Sequence, residues 1–181
     1  MEFPLKKKKK LGGTYPKKQL DIAYKFSARL HKEMGPLIKA IVLFGSSVKS
    51  EKTANDIDIL VILDDTEFEF TREIIHTYRI IVQKIVASVS EEIHLTSLKF
   101  TNFWEYVRNG DPLAVNILRD GKPILDKGFI DPLQRLLVRG RIRPSKESVY
   151  NYLSRAPMTL LNSQWHIMQA VMDLYWAVID S

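Results

Sequence analysis

Two aspartates, two positions apart, open a strongly apolar segment of this sequence. Asp56 and Asp58 begin the run DIDILVIL, and all the remaining residues of this run are aliphatic. Residues two apart on a β-strand point to the same face, so the two carboxylates are predicted to lie side by side at one end of a strand. Two like charges that close are unfavourable unless a cation stands between them. The spacing therefore predicts a site for a divalent metal ion.

The elements that would position these carboxylates follow from the spacing of the apolar residues. IKAIVLF (38–44) and DIDILVIL (56–63) are continuous apolar runs of strand length, which suits strands covered on both faces. EEIHLTSL (91–98) alternates like a third strand. Before the strands, apolar residues every three or four positions predict a helix that begins near Lys17 and ends at Gly35-Pro36. These residues are Leu20, Ala23, Phe26, Leu30 and Met34.

More helices are predicted on both sides of the third strand. The capping-box pattern over 66–69 predicts the start of a helix that carries Phe70 and Ile85. Asn102 with Glu105 would cap a short helix, DPLAVNILRDG would form another, and KPIL a short strand. This order of elements predicts an α/β or α+β sheet domain over residues 17–128.

Composition and charge narrow the class of protein. The chain has 181 residues, 45% hydrophobic and 27% charged, as expected for one soluble globular domain with an appended piece. The net charge is +6, and Lys6 to Lys10 supply five of it, so 6 − 5 leaves +1 for the rest. Residues 1–16 are therefore predicted to be a flexible, solvated basic tail, with a polyphosphate or RNA contact as the alternative. The lack of cysteine and of a signal-peptide pattern favours a cytoplasmic protein.

Residues 129–181 form a different kind of segment, without a strand signal. Pro132, Pro144 and Pro157 each stand where a helix could begin. From about Met158 a long helix is predicted, interrupted by too many polar residues to span a membrane. Its apolar side chains point almost all the way round: Leu161, Trp165, Met168, Val171, Met172, Tyr175, Trp176 and Ile179. We expect it to pair in a homodimer, or to belong to a longer helical domain of which residues 129–181 are a truncated part.

The two aspartates also belong to a longer pattern. Gly45-Ser46, nine residues, and then Asp56-Ile57-Asp58 resembles the signature of the DNA polymerase β-like nucleotidyltransferase superfamily, especially its small minimal members. The resemblance covers about residues 17–126 and includes the ending NILRDGKPILD. It implies a small mixed β-sheet with flanking helices, followed here by the α-helical C-terminal segment. The alternative is a hairpin with one helix-capping aspartate and an incidental neighbour.

The resemblance implies a role for each residue of the pattern. Gly45 and Ser46 would bind a nucleoside triphosphate, at the start of a helix that favours anions. Asp56 and Asp58 would hold Mg²⁺ or Mn²⁺. Small family members often carry arginine directly after Gly-Ser and again two positions later; here those positions hold Ser47 and Lys49. Lys49 could still pair with a phosphate, as a point charge.

A third carboxylate is usual in the family on the strand after the helix, and this sequence departs from that pattern. Glu92 and His94 share a face by alternation, and either would reach the metal site. A histidine there would weaken Mg²⁺ binding and would replace the base by a neutral imidazole. A solvated Glu92 and a structural His94 are the alternative.

The helical C-terminal segment is similar to the HEPN-type domains that accompany minimal nucleotidyltransferases. The closely spaced arginine and histidine of the ribonuclease members are missing, since Arg155 and His166 lie eleven positions apart. Four arginines lie close together in this segment: Arg135, Arg139, Arg141 and Arg143. They could contact RNA or an acidic acceptor, but a solvated loop is the favoured interpretation.

Together these observations predict an enzyme that transfers a nucleoside monophosphate, AMP from ATP, to a hydroxyl and releases pyrophosphate. The acceptor remains open between a protein, an RNA end and a small molecule. The alternative is a catalytically degenerate nucleotide- or RNA-binding module that acts through assembly.

Overall fold

The structure, a computed structural model, describes residues 11–45 and 56–179. Its elements in chain order are α1 (Lys17–Met34), β1 (Ile38–Phe44), β2 (Ile57–Leu63), α2 (Arg72–Val89), β3 (Ile93–Lys99), α3 (Phe100–Arg108), α4 (Pro112–Asp120), β4 (Lys122–Asp126), α5 (Ile130–Val138) and α6 (Lys146–Ile179). A short 3₁₀ turn over Gly35–Leu37 ends α1, as Gly35-Pro36 predicted.

The four strands form one mixed sheet in the order β3-β2-β1-β4. β1 pairs antiparallel with β2 and β4, whereas β2 pairs parallel with β3. The parallel pair needs a crossover, which α2 provides. The predicted small mixed sheet with flanking helices is thereby confirmed.

Helices cover both faces of the central strands. On one face, α1 and α2 pack against side chains of β1 and β2, forming a cluster that includes Phe26, Leu30, Ile41, Ile59 and Val82. On the other face, α3, α4 and α5 form a second cluster that includes Val42, Leu60, Phe103, Ile117 and Leu133. Because β1 and β2 are buried on both sides, their sequences are apolar without alternation.

Two helices begin later or earlier than predicted. The prediction that a capping box over 66–69 starts a helix was wrong. α2 begins at Arg72, and the Thr71 hydroxyl caps it by accepting a hydrogen bond from the Ile74 amide at 3.4 Å. Thr66 instead donates its hydroxyl to Asp64 at 2.6 Å, so its side chain serves a turn after β2. α3 begins at Phe100, directly after β3, and not at an Asn102 cap.

The sheet unit extends beyond the boundary predicted at residue 128. Of the described residues, those up to Arg143 form one compact unit, and those from Pro144 onward form a second. Ile130 and Leu133 of α5 are buried in the cluster shared with α3 and α4, which ties α5 to the sheet.

The second unit consists mainly of α6. This helix already begins at Lys146 and contains Pro157, so the predicted start near Met158 was wrong. Leu161, Trp165 and Met168 are between 59% and 64% exposed. Within 11–45 and 56–179, no helix is both long enough and apolar enough to cross a membrane.

The second part of the predicted flexible tail is packed on the sheet unit. Tyr15 is only 5% exposed, and its hydroxyl donates to the carbonyl of Asp120 at 3.1 Å. The same carbonyl accepts a bond from the Gly13 amide at 2.8 Å. The prediction of a solvated tail is therefore wrong for residues 11–16, while residues 1–10 lie outside the described chain.

Candidate active site

The two aspartates lie at the end of the sheet where β1 stops and β2 begins. Asp56 immediately precedes β2, and Asp58 is its second residue. Asp58 is paired with Phe44 on β1 and with His94 on β3. The structure thus brings Asp56, Asp58 and His94 together where β2 and β3 begin.

His94 and Asp56 face each other in solvent. His94 Nε2 lies 3.6 Å from Asp56 Oδ1, and the two side chains are 62% and 66% exposed. Asp58 is half-buried between its strand neighbours. Its pKa is raised, chiefly because burial disfavours the charged carboxylate and also because Asp56 is negatively charged; His94 opposes the shift. A cation at this place would offset both unfavourable effects.

Gly45 makes the backbone approach Asp58 unusually closely. Its φ is +109°, a backbone conformation that residues with a side chain rarely adopt. A Cβ on residue 45 would overlap Asp58 Oδ2 and would lie 3.0 Å from Asp58 Cγ. The chain therefore requires glycine here, beside the carboxylate. The other predicted phosphate-binding residues, Ser46, Ser47 and Lys49, lie outside the described chain.

Glu92 and His94 have different surroundings, although strand alternation predicted that they share a face. The Glu92 carboxylate accepts a bond from Lys18 Nζ of α1 at 2.9 Å. Its backbone carbonyl accepts from the amide of Ile57 at 2.8 Å, which joins the starts of β2 and β3. Lys18 is 71% exposed, so the ion pair itself contributes little stability. The Glu92 carboxylate is thus directed towards α1 in this structure.

Tyr15 is a site neighbour that the sequence reasoning missed. Burial raises the pKa of its phenol, and the negative charges of Asp120 and Asp58 raise it further. The phenol therefore stays protonated and lies within the field of Asp58. A signal for it was present: Tyr15 and Leu20 stand at the two positions of a hydrophobic staple around the start of α1.

The site offers few ligands for a metal ion. Over 11–45 and 56–179, no group of three or more histidine, aspartate or glutamate side chains is placed to hold one. Mg²⁺ is often bound through only one or two carboxylates, with phosphates of the substrate and water completing its shell. Asp56 and Asp58 fit that mode, in which the metal ion is held jointly by the protein and a triphosphate.

Comparison with known families finds one family model that covers more than half of the chain. The family model described as Polymerase beta, Nucleotidyltransferase matches residues 25–128. Among curated proteins the sequence finds no match.

Two of the solved structures that match are toxin–antitoxin crystal structures. A mutant of the toxin–antitoxin MntA-HpeT is 16% identical, with a TM-score of 0.39, over 78% of this chain and 98% of that chain. A toxin–antitoxin with AMP-PNP is 17% identical, with the same TM-score and the same coverage of both chains.

Replacing Gly45 by alanine is expected to damage both the fold and the site. The positive φ alone costs about 1–3 kcal/mol, and the added Cβ must displace the Asp58 carboxylate. Thermal unfolding of Gly45→Ala measures the loss. Gly128→Ala is the matched control, because Gly128 has a φ of +89° but no atom within 4 Å of the added Cβ. Equal losses in the two variants would show that the contact with Asp58 is unimportant.

Proposed function

Since the chain belongs to the polymerase β nucleotidyltransferase family, we propose that it moves a nucleoside monophosphate from a nucleoside triphosphate to a hydroxyl group. The proposed donor is ATP, the transferred group AMP, and the second product pyrophosphate. The observation that carries this proposal is the pair of aspartates at the start of β2, Asp56 just before it and Asp58 within it, with Gly45 directly after β1 against Asp58. That arrangement puts the Asp58 carboxylate against a backbone position without a side chain, and places Asp56 at the same end of β2.

Each residue of the site has a proposed task. Asp56 and Asp58 would hold Mg²⁺ or Mn²⁺. When bound, the metal ion neutralises phosphate charge and lowers the pKa of the acceptor hydroxyl. Gly45 lets the backbone pass directly beside the Asp58 carboxylate. Ser46, Ser47 and Lys49 are proposed to contact the oxygens of the triphosphate.

His94 is the better placed of the two proposed bases. It lies beside Asp56, whereas the Glu92 carboxylate is engaged by Lys18. In the proposed reaction the acceptor oxygen forms a bond to the α-phosphorus, the bond to the bridging oxygen breaks, and the hydroxyl proton passes to His94 Nε2.

A second candidate function is a nucleotide- or RNA-binding module that has lost turnover. One observation favours it: the strand position opposite Asp58 on β3 is histidine, where the family usually has an acid. A module of this kind would bind a triphosphate through the same aspartates and would act through assembly.

The assembly surface proposed for either function is α6. Large apolar side chains along one side of it are exposed: Tyr150, Leu153, Leu161, Trp165 and Met168. Side chains of this size contribute about 1.5–3 kcal/mol each when fully buried. We propose that two copies of the chain pair through this stripe in a twofold homodimer.

Removal of both carboxylates is expected to abolish metal-dependent nucleotide binding. With Mn²⁺ and ATP at a hundredfold excess over the dissociation constant, the wild type should gain about 2.7 kcal/mol and several degrees in melting temperature. The pair Asp56→Asn and Asp58→Asn should lose this gain while the protein stays folded. Asp21→Asn with Glu67→Gln, two exposed carboxylates elsewhere, serves as control. An undiminished gain in the first variant would remove the metal site from the proposal.

The choice between the two functions depends on His94. If His94 accepts the proton, His94→Ala should lower kcat by about 10²-fold, and Glu92→Gln should have little effect. Transfer of label from radioactive ATP measures both. A His94→Asp variant that is more active than the wild type would instead favour the degenerate module.

The homodimer is expected to dissociate when a charge is placed in its stripe. Trp165→Glu should weaken the dimer by about 3 kcal/mol, or roughly 100-fold in its dissociation constant. Ser163→Glu, half a turn away on α6, should leave the dimer intact. Light scattering during size-exclusion chromatography reports the mass of each variant. A monomeric wild type would contradict the proposed dimer.

A further inference from the structure

A cavity of about 430 Å³ lies between α3 and α5, on the face of the sheet opposite α1 and α2. Both helices and the turn that follows α5 contribute to its lining, which includes Trp104, Arg108, Leu133, Arg141 and Arg143. Its volume is in the range of sites that hold one small organic molecule. The cavity belongs wholly to the sheet unit, which ends at Arg143.

The lining of this cavity combines buried apolar side chains with exposed cations. Val107 and Leu133 are 3% and 5% exposed, whereas Arg141 and Arg143 are exposed. Neither aspartate nor glutamate is among the lining residues. Cationic groups around an apolar floor attract an anion and also cover apolar surface of the molecule that carries it. The lining therefore favours an organic anion with an apolar part.

The arginines of this segment have different surroundings, although the sequence left them as one cluster. Arg135 is paired with Asp131 at 2.9 Å, one turn away in α5. Arg141 and Arg143 line the cavity instead. Arg143 Nε donates to the Gly140 carbonyl at 2.7 Å, a bond that uses one of the five N–H donors of the guanidinium. The turn thus holds this cation in place before any ligand binds, which lowers the entropy cost of binding.

Gly140 is required for this placement of the guanidinium. Its φ is +68°, and a Cβ on residue 140 would lie 3.2 Å from Arg143 Nη2. Arg108, the third cation of the cavity, is paired with Glu105 at 2.8 Å, so part of its charge is neutralised. Most of the positive charge that a ligand would meet therefore comes from Arg141 and Arg143.

Trp104 gives the cavity an aromatic surface. Its side chain is 43% exposed, whereas the preceding residue, Phe103, is completely buried. Nucleic acid bases stack on aromatic side chains whatever their identity, and arginine binds phosphate oxygens through two parallel hydrogen bonds. A simple anion would satisfy the arginines but would leave the indole uncovered. The two features together point to a ligand that has both a planar base and phosphate groups.

We propose that this cavity is a second nucleotide site, which binds a nucleoside diphosphate or triphosphate without a metal ion. The base would lie against Trp104, and the phosphates would contact Arg141 and Arg143. The proposal goes beyond the transfer reaction, because it involves neither Asp56 nor Asp58. Guanidinium groups supply the positive charge here, so no divalent cation is needed, and the bound nucleotide is not consumed.

Calorimetric titration with ADP in the presence of EDTA tests this site. The protein carries Asp56→Asn and Asp58→Asn, so that metal-dependent binding at the start of β2 does not contribute. We expect one ADP to bind per chain. Adding Arg141→Gln and Arg143→Gln should lower the affinity by at least about tenfold, because charge-assisted hydrogen bonds to phosphate are lost. A dissociation constant for ADP weaker than about 1 mM before the arginines are changed would overturn the proposal.

The matched control changes two exposed arginines outside the cavity, Arg79→Gln on α2 and Arg139→Gln after α5. It removes the same charge as the arginine variant and should bind ADP within about twofold of the starting protein. An equal loss of affinity in the control would show that only net charge matters, and the site would be rejected. Since no transfer is measured, the result is independent of the proposed enzymatic reaction.

The contribution of the base is measured with variants of Trp104 and with the two parts of the ligand. Trp104→Leu should weaken ADP binding about tenfold, and Trp104→Phe should restore most of the loss, because phenylalanine keeps a surface for stacking. Inorganic pyrophosphate and adenosine should each bind at least about tenfold more weakly than ADP. Pyrophosphate binding as tight as that of ADP would show a site for simple anions and overturn the nucleotide assignment. Equal losses in the two Trp104 variants would contradict stacking on the indole.

Discussion

The end of β1 meets the start of β2 so closely that residue 45 has to be a glycine. Asp58 Oδ2 occupies the place where a Cβ would lie, and the backbone has a positive φ. This contact depends on the pairing of Phe44 with Asp58. A slip by one residue would turn Asp58 towards α1 and α2, where Ile57 and Ile59 are buried. Burial on both faces of the two strands therefore fixes the register, and the register places the carboxylate.

The central part of the fold was predictable because its sequence signals are local and strong. Two unbroken apolar runs predicted β1 and β2, and apolar residues at helical spacing predicted α1. The start of α2 was not predictable in the same way, because Thr66 follows an aspartate that takes its hydroxyl into a turn. The packing of residues 11–16 on the sheet unit was not predicted, because glycines next to a run of lysines are typical of a flexible tail. This packing depends on the Asp120 carbonyl, more than a hundred residues away.

The same distinction applies to the candidate site. Gly45 directly follows β1, and Asp56 and Asp58 stand at the start of the neighbouring β2, so the sequence spacing alone indicated that they meet. The sequence left Glu92 and His94 equivalent, since strand alternation puts them on one face. The Glu92 carboxylate is paired with a lysine of α1, 74 residues away, whereas His94 lies beside Asp56. Such a choice is made by tertiary structure and has no local signal.

Asp56 and Asp58 are close to each other in an arrangement that costs free energy when no cation is bound. Burial and the neighbouring carboxylate both raise the pKa of Asp58, and one exposed histidine offsets only part of this. The sheet can tolerate the cost because the strands behind it are almost completely buried on both faces. In folded proteins, unfavourable local arrangements persist where the surrounding structure over-determines them. The stability of the apolar strands thus allows the start of β2 to keep two neighbouring carboxylates in place, as the proposed binding of a metal ion with a triphosphate requires.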